Sequence, residues 1–91
     1  MSVTLQLPNV LARLAGGEPR LSVDGATLGE VIDQVSGRFP ELAPRLRDDK
    51  GEPYPFVTIY LNDDDIRFQG GFGVAVKDGD VVTIVPAVAG G

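Results

Sequence analysis

The chain ends Val85-Pro86-Ala87-Val88-Ala89-Gly90-Gly91, and the last carboxylate is the one group set up for chemistry. Glycine has no Cβ, so Gly90 and Gly91 fit a slot too narrow for any other residue. The α-carboxyl of Gly91, with an intrinsic pKa of about 3.3–3.7, is ionised and unhindered at neutral pH. Such a group is a nucleophile that an ATP-using enzyme can thread into its own pocket. Taken alone, the diglycine equally describes a frayed terminus. The rest of the chain decides between these readings.

Other chemistries lack their residues. There is no Cys and no His, which removes thiol nucleophiles, disulfides, Cys/His zinc sites and the commonest general base. Asp63-Asp64-Asp65 reads as a solvated hairpin turn, because calcium loops need spaced ligands around a sharp glycine turn. Asp78-Gly79-Asp80 is likewise a turn with glycine at positive φ. Gly70-Gly71-Phe72-Gly73 lacks the strand-before, helix-after context of a phosphate loop, leaving Phe72 to a satellite apolar cluster or a partner surface. Thr27 and Glu30 are capping residues. Arg67 suits a surface ion pair or a contact to a partner. No acid, base and nucleophile come together, so no catalytic residue and no metal site are expected, and the chain is not itself an enzyme.

The elements that must carry the tail are short. Ninety-one residues make one domain. Val3, Leu5 and Leu7 alternate with polar residues as a half-buried strand, stopped by Pro8-Asn9. An apolar connector, Val10 to Leu14, closes at Gly16-Gly17, and Arg20-Leu21-Ser22-Val23 alternates again, which gives a hairpin with a long loop. Thr27-Leu28-Gly29-Glu30 is a capping box, and Leu28, Val31, Ile32, Val35 and Phe39 form one apolar stripe on a helix of about three turns. Pro40 halts it, and Glu41 to Arg47 is expected as an irregular turn interrupted by Pro44. Phe56 to Leu61 is the strongest strand. A short strand is expected around Ile66-Arg67-Phe68, and Val81 to Val85 is the last.

With 13 acidic and 8 basic residues the net charge is −5, and Lys50 and Lys77 stand far apart. This is no nucleic-acid footprint; it suits solubility and a basic partner. No run is long enough for a transmembrane helix, and Met1-Ser2-Val3-Thr4-Leu5 lacks the pattern of a signal peptide. A cytoplasmic protein without membrane contact, monomeric when free, is expected.

One helix with one stripe covers one face of a mixed sheet, an α+β arrangement. With Val57, Ile59, Leu61, Val82 and Ile84 inward, the outer face gains Phe56, Tyr60, Val81 and Val85. That is a candidate docking patch continued by Pro86 and Val88 of the tail.

Three segments together carry a resemblance: Val57-Thr58-Ile59-Tyr60-Leu61-Asn62, Lys77-Asp78-Gly79-Asp80-Val81-Val82-Thr83-Ile84-Val85-Pro86, and the terminal Gly90-Gly91. The chain resembles the MoaD/ThiS family of ubiquitin-like sulfur carriers. The ending, with Asn62, Asp65-Ile66-Arg67-Phe68 and Gly70-Gly71 before it, looks most like the CysO-type branch used in cysteine biosynthesis. The resemblance implies a β-grasp domain over residues 1–86, with four to five strands and one main helix, and a flexible diglycine tail over 87–91. It implies adenylation of Gly91, with Gly90 beside it, by an E1-like adenylyltransferase using ATP, and conversion to a thiocarboxylate. For the CysO-type branch it implies a PLP-dependent cysteine synthase as acceptor and a JAMM-type zinc metalloprotease that releases cysteine. PLP and zinc would belong to those partners, and this chain would bind no cofactor. Carriers for the molybdenum cofactor and thiamin share the tail. Two rivals stand beside carriage: conjugation of Gly91 to lysines of other proteins, and a plain binding module with an inert tail.

Overall fold

Alternating apolar and polar residues in Ser2–Gln6 (β1) and Arg20–Asp24 (β2) pair antiparallel, with Val3 opposite Val23 and Leu5 opposite Leu21. The computed structural model describes residues 2–86 of the chain. Thr27 begins the main helix, Leu28–Arg38 (α2): its Oγ1 accepts from the Glu30 amide at 3.2 Å. Glu30 reaches back, its Oε1 accepting from the Ala26 amide at 3.0 Å, so two otherwise orphaned donors are satisfied. Val57–Leu61 (β3), Asp64–Asp65 (β4) and Val81–Pro86 (β5) complete the sheet.

Strand order is β2-β1-β5-β3-β4, with β1 and β5 parallel and every other pairing antiparallel. Leu28, Val31, Ile32 and Val35 of α2 are buried against Val3, Leu5, Ile59, Val82 and Ile84 of the sheet. Each such aliphatic side chain contributes about 1.5–3 kcal/mol on full burial. A mixed five-stranded sheet wrapped on one helix, with the last strand central, is the ubiquitin-like β-grasp fold.

Three local expectations change. Val10 to Leu14 is helical: Asn9–Ala12 (α1) runs into a 3-10 turn, Arg13–Ala15. Burying Leu11, Ala12 and Ala15 at one end of the core requires helical spacing, which an extended connector lacks. Pro44 does not interrupt its segment but opens a helix, Ala43–Leu46 (α3), in whose first turn a missing N–H costs nothing. The short strand is Asp64–Asp65, and Ile66–Phe68 is a 3-10 turn that drops Ile66 into the core.

Phe72 does pack half-buried against the core, and Arg47 holds it there. The Arg47 guanidinium lies 5.1 Å from the Phe72 ring centre, pairs with Asp33 and donates to the Gly29 carbonyl. One residue thus ties α2 to two loops.

Candidate functional site

Strand β5 delivers the tail, so its two ends define the site. At its start, the Lys77-Asp78-Gly79-Asp80 turn carries Gly79 at φ 89, a conformation that glycine alone adopts without cost. Both flanking carboxylates are used by backbone donors: Asp78 Oδ1 accepts from the Ser2 amide at 2.9 Å, and Asp80 Oδ2 from the Lys77 amide at 2.8 Å. Asn62, left-handed at φ 58, donates through Nδ2 to Asp80 and accepts from the Val81 amide at 3.0 Å. The acid-glycine-acid motif is a fastening between β1, β3 and β5.

Inside the sheet, Val82 and Ile84 are fully buried and fix the strand between β1 and β3. The last described residue, Pro86, pairs opposite Val57 and is half-buried. Gly90, Gly91 and Val88 lie outside the described residues.

The proposed docking residues divide into two groups. Tyr60, Val81 and Val85 point to the outer face, as alternation requires. There they interleave with hydroxyl and amide side chains, since Thr83 lies between Tyr60 and Gln6, Thr58 faces Val85, and Thr4 faces Val81. Tyr60 and Val81 are half-buried and only Val85 is exposed, so the outer face is less apolar than expected. Phe56 sits apart, at the end of β3, in a cavity shared with Val10, Leu11, Tyr54, Val57 and Pro86. It therefore belongs with the root of the tail.

Val10, Arg45 and Tyr54 are residues that sequence reasoning missed there. Prolines on both sides of Tyr54 restrict its backbone and are the one signal that could have marked it. For Val10 and Arg45 no local pattern announces that they meet Pro86.

The remaining candidates are structural. Arg67 wraps Asp65, its Nη2 at 2.7 Å from Oδ2 and its amide at 2.9 Å from Oδ1. Side-chain hydrogen bonds from Arg67, then its backbone amide, hold the Asp65 carboxyl below the usual carboxylate range. Among the described residues no cluster of His, Cys, Asp or Glu is placed to hold a metal, and no helix is long and apolar enough to cross a membrane. This arrangement fixes the strand that leads, through Pro86, into residues 87–91.

Residues 5–91 match the ThiS family. The sulfur carrier protein CysO of Mycobacterium tuberculosis is 45% identical over the whole of both chains. In the crystal structure of the Amycolatopsis orientalis BexX/CysO complex, a chain 44% identical superposes with a TM-score of 0.91, covering 98% of this chain and 99% of its own. Small archaeal modifier protein 1 of Haloferax volcanii is 35% identical over 89% of this chain and 91% of its own. A β-grasp body whose central strand runs out into the last residues thus meets a family match extending through Gly91: the chain belongs to the ThiS family, homologous along its length to the sulfur carrier proteins.

Proposed function

We propose that this chain carries sulfur as a thiocarboxylate on Gly91. The Gly91 carboxylate oxygen attacks the α-phosphorus of ATP in a separate E1-like enzyme, and pyrophosphate leaves. A sulfide sulfur then attacks the acyl carbon, the bond to the phosphate oxygen breaks and AMP leaves. Where a persulfide attacks instead, a second thiol then breaks the S–S bond of the acyl disulfide, leaving the thiocarboxylate and a disulfide between that thiol and the donor. A thio acid is more acidic than a thiol, so the product is an anionic nucleophile at neutral pH with no cysteine involved. The observation that carries this reading is a full-length likeness to sulfur carriers that runs through the diglycine.

In this reading residues 1–86 are the body and 87–91 the tail, and the chain is a co-substrate whose partners supply catalysis. The acceptor in this reading, as the resemblance to the CysO-type branch implies, is a PLP-dependent cysteine synthase, with a zinc metalloprotease to free the product. Tyr60, Val81 and Val85 on the outer sheet face, and Phe56, Pro86 and Val88 at the root of the tail, are the residues that meet those enzymes. The test is intact mass after incubation with ATP, an adenylating enzyme of this family and sulfide. A gain equal to the difference between one sulfur and one oxygen is expected. An unchanged mass, with the enzyme's activity verified on another carrier, rejects it.

Likeness to a small archaeal modifier favours a second reading, in which the same adenylate passes to a lysine of another protein. Diglycine remnants on substrate lysines in digests of native cells would support it; their absence beside a terminal thio acid supports carriage.

A further inference from the structure

The root of the tail gathers two of the large apolar side chains exposed among the described residues. Val10 and Phe56, 58% and 62% exposed, flank Pro86 around a cavity of about 190 Å³. Phe56 meets Tyr54 edge-on, with ring centres 5.3 Å apart. Tyr54 is itself held: its amide donates to the Leu46 carbonyl at 3.0 Å, and its carbonyl accepts from the Val57 amide at 3.2 Å. Arg45 lines the same cavity, is exposed, and among the described residues has no ion-pair partner. A preorganised aromatic pair beside a guanidinium unpaired among the described residues is the composition that dominates protein interfaces.

Reach decides what covers it. Residues 87–91, however arranged, place the Gly91 carboxyl at most about 18 Å from Pro86. A water-excluding cleft deep enough to take in residues 87–91 brings its lip against the neighbours of Pro86. The adenylating enzyme is the occupant required whichever acceptor follows, and under either reading of the tail.

Charge gives the lip its chemistry. The chain carries −5 overall and favours a basic partner broadly, whereas Arg45 at this one point calls for an acid. Resting on the proposed function, we infer that the lip of the adenylating enzyme seats on a collar of Val10, Tyr54, Phe56 and Arg45. An apolar side chain of the enzyme enters the cavity and a carboxylate pairs with Arg45, which makes Arg45 a positioning residue that tells its enzyme from others.

The test is the rate of pyrophosphate release by the adenylating enzyme with ATP, measured against the concentration of the full chain. Arg45→Glu and Phe56→Ala should each raise the half-saturating concentration roughly tenfold or more, with the maximal rate within about twofold of the parent. Arg45→Gln should shift it the same way by less. Lys77→Glu makes the same charge change at the far end of β5 and should leave half-saturation unmoved. Replacing the facing acid on the enzyme's lip with Arg should restore the Arg45→Glu variant. Both collar variants saturating like the parent, or Lys77→Glu weakening binding as much as Arg45→Glu, overturns the collar while leaving carriage standing. No pyrophosphate from the parent chain overturns carriage and the collar together.

Discussion

The two ends of β5 are made to opposite rules. At the Lys77–Asp80 end, each carboxylate accepts from a backbone amide, and a left-handed asparagine closes the junction. At the Pro86 end, three large apolar side chains, Val10, Phe56 and Val85, stay exposed and an arginine stays unpaired among the described residues. Satisfied polar groups mark where the strand is fastened; on the proposed function, the exposed apolar and charged groups are where another molecule would complete it.

Four changes would break or sharpen this contrast. The largest is loss of Gly91: deleting it should abolish sulfur gain in the mass assay while stability in urea changes by less than about 0.5 kcal/mol. Next is the strand between the ends. Ile84→Ala, at a core position 2% exposed, should cost about 2–5 kcal/mol in denaturant unfolding, yet the protein still folded should be activated normally. At the fastened end, Asp80→Ala strips the Lys77 amide and Asn62 Nδ2 of their acceptor. It should cost about 1–2 kcal/mol by the same measurement with no effect on half-saturation.

The smallest effect lies away from both ends, at Asp65. Its carboxyl is held low by Arg67, so the pair stabilises the fold above the ordinary carboxylate pKa. That contribution fades as pH falls through the lowered folded value. Arg67→Ala removes the guanidinium but keeps the residue-67 amide, so it should move the Asp65 titration, followed by NMR, up toward the usual carboxylate range. A titration that does not move would assign the depression to the residue-67 amide, which the substitution keeps, rather than to the guanidinium.

What the sequence made legible was local. Thr27 and Glu30 announce a helix start because a cap needs only neighbours in the chain. Val57 to Leu61 and Val81 to Val85 announce strands by alternation, and Asp78-Gly79-Asp80 announces its turn because only glycine is easy at that φ. Other features needed the assembled body. Val10 looked like part of a connector because four residues are too few to display a helical period. Phe56 was assigned to the outer face by strict alternation, but alternation holds only within a strand, and Phe56 stands just outside one. The collar joins residues from α1, α3 and the segment 53–56, beside the end of β5. No pattern within any one of those segments encodes that meeting.

The central claim is that the Gly91 carboxyl is the seat of the carried sulfur. Fragmentation of the intact protein by mass spectrometry, after reaction with ATP, the adenylating enzyme and sulfide, tests it most directly. The expected result is a sulfur-for-oxygen gain confined to fragments that contain Gly91. No gain, or a gain on fragments that lack Gly91, contradicts the account.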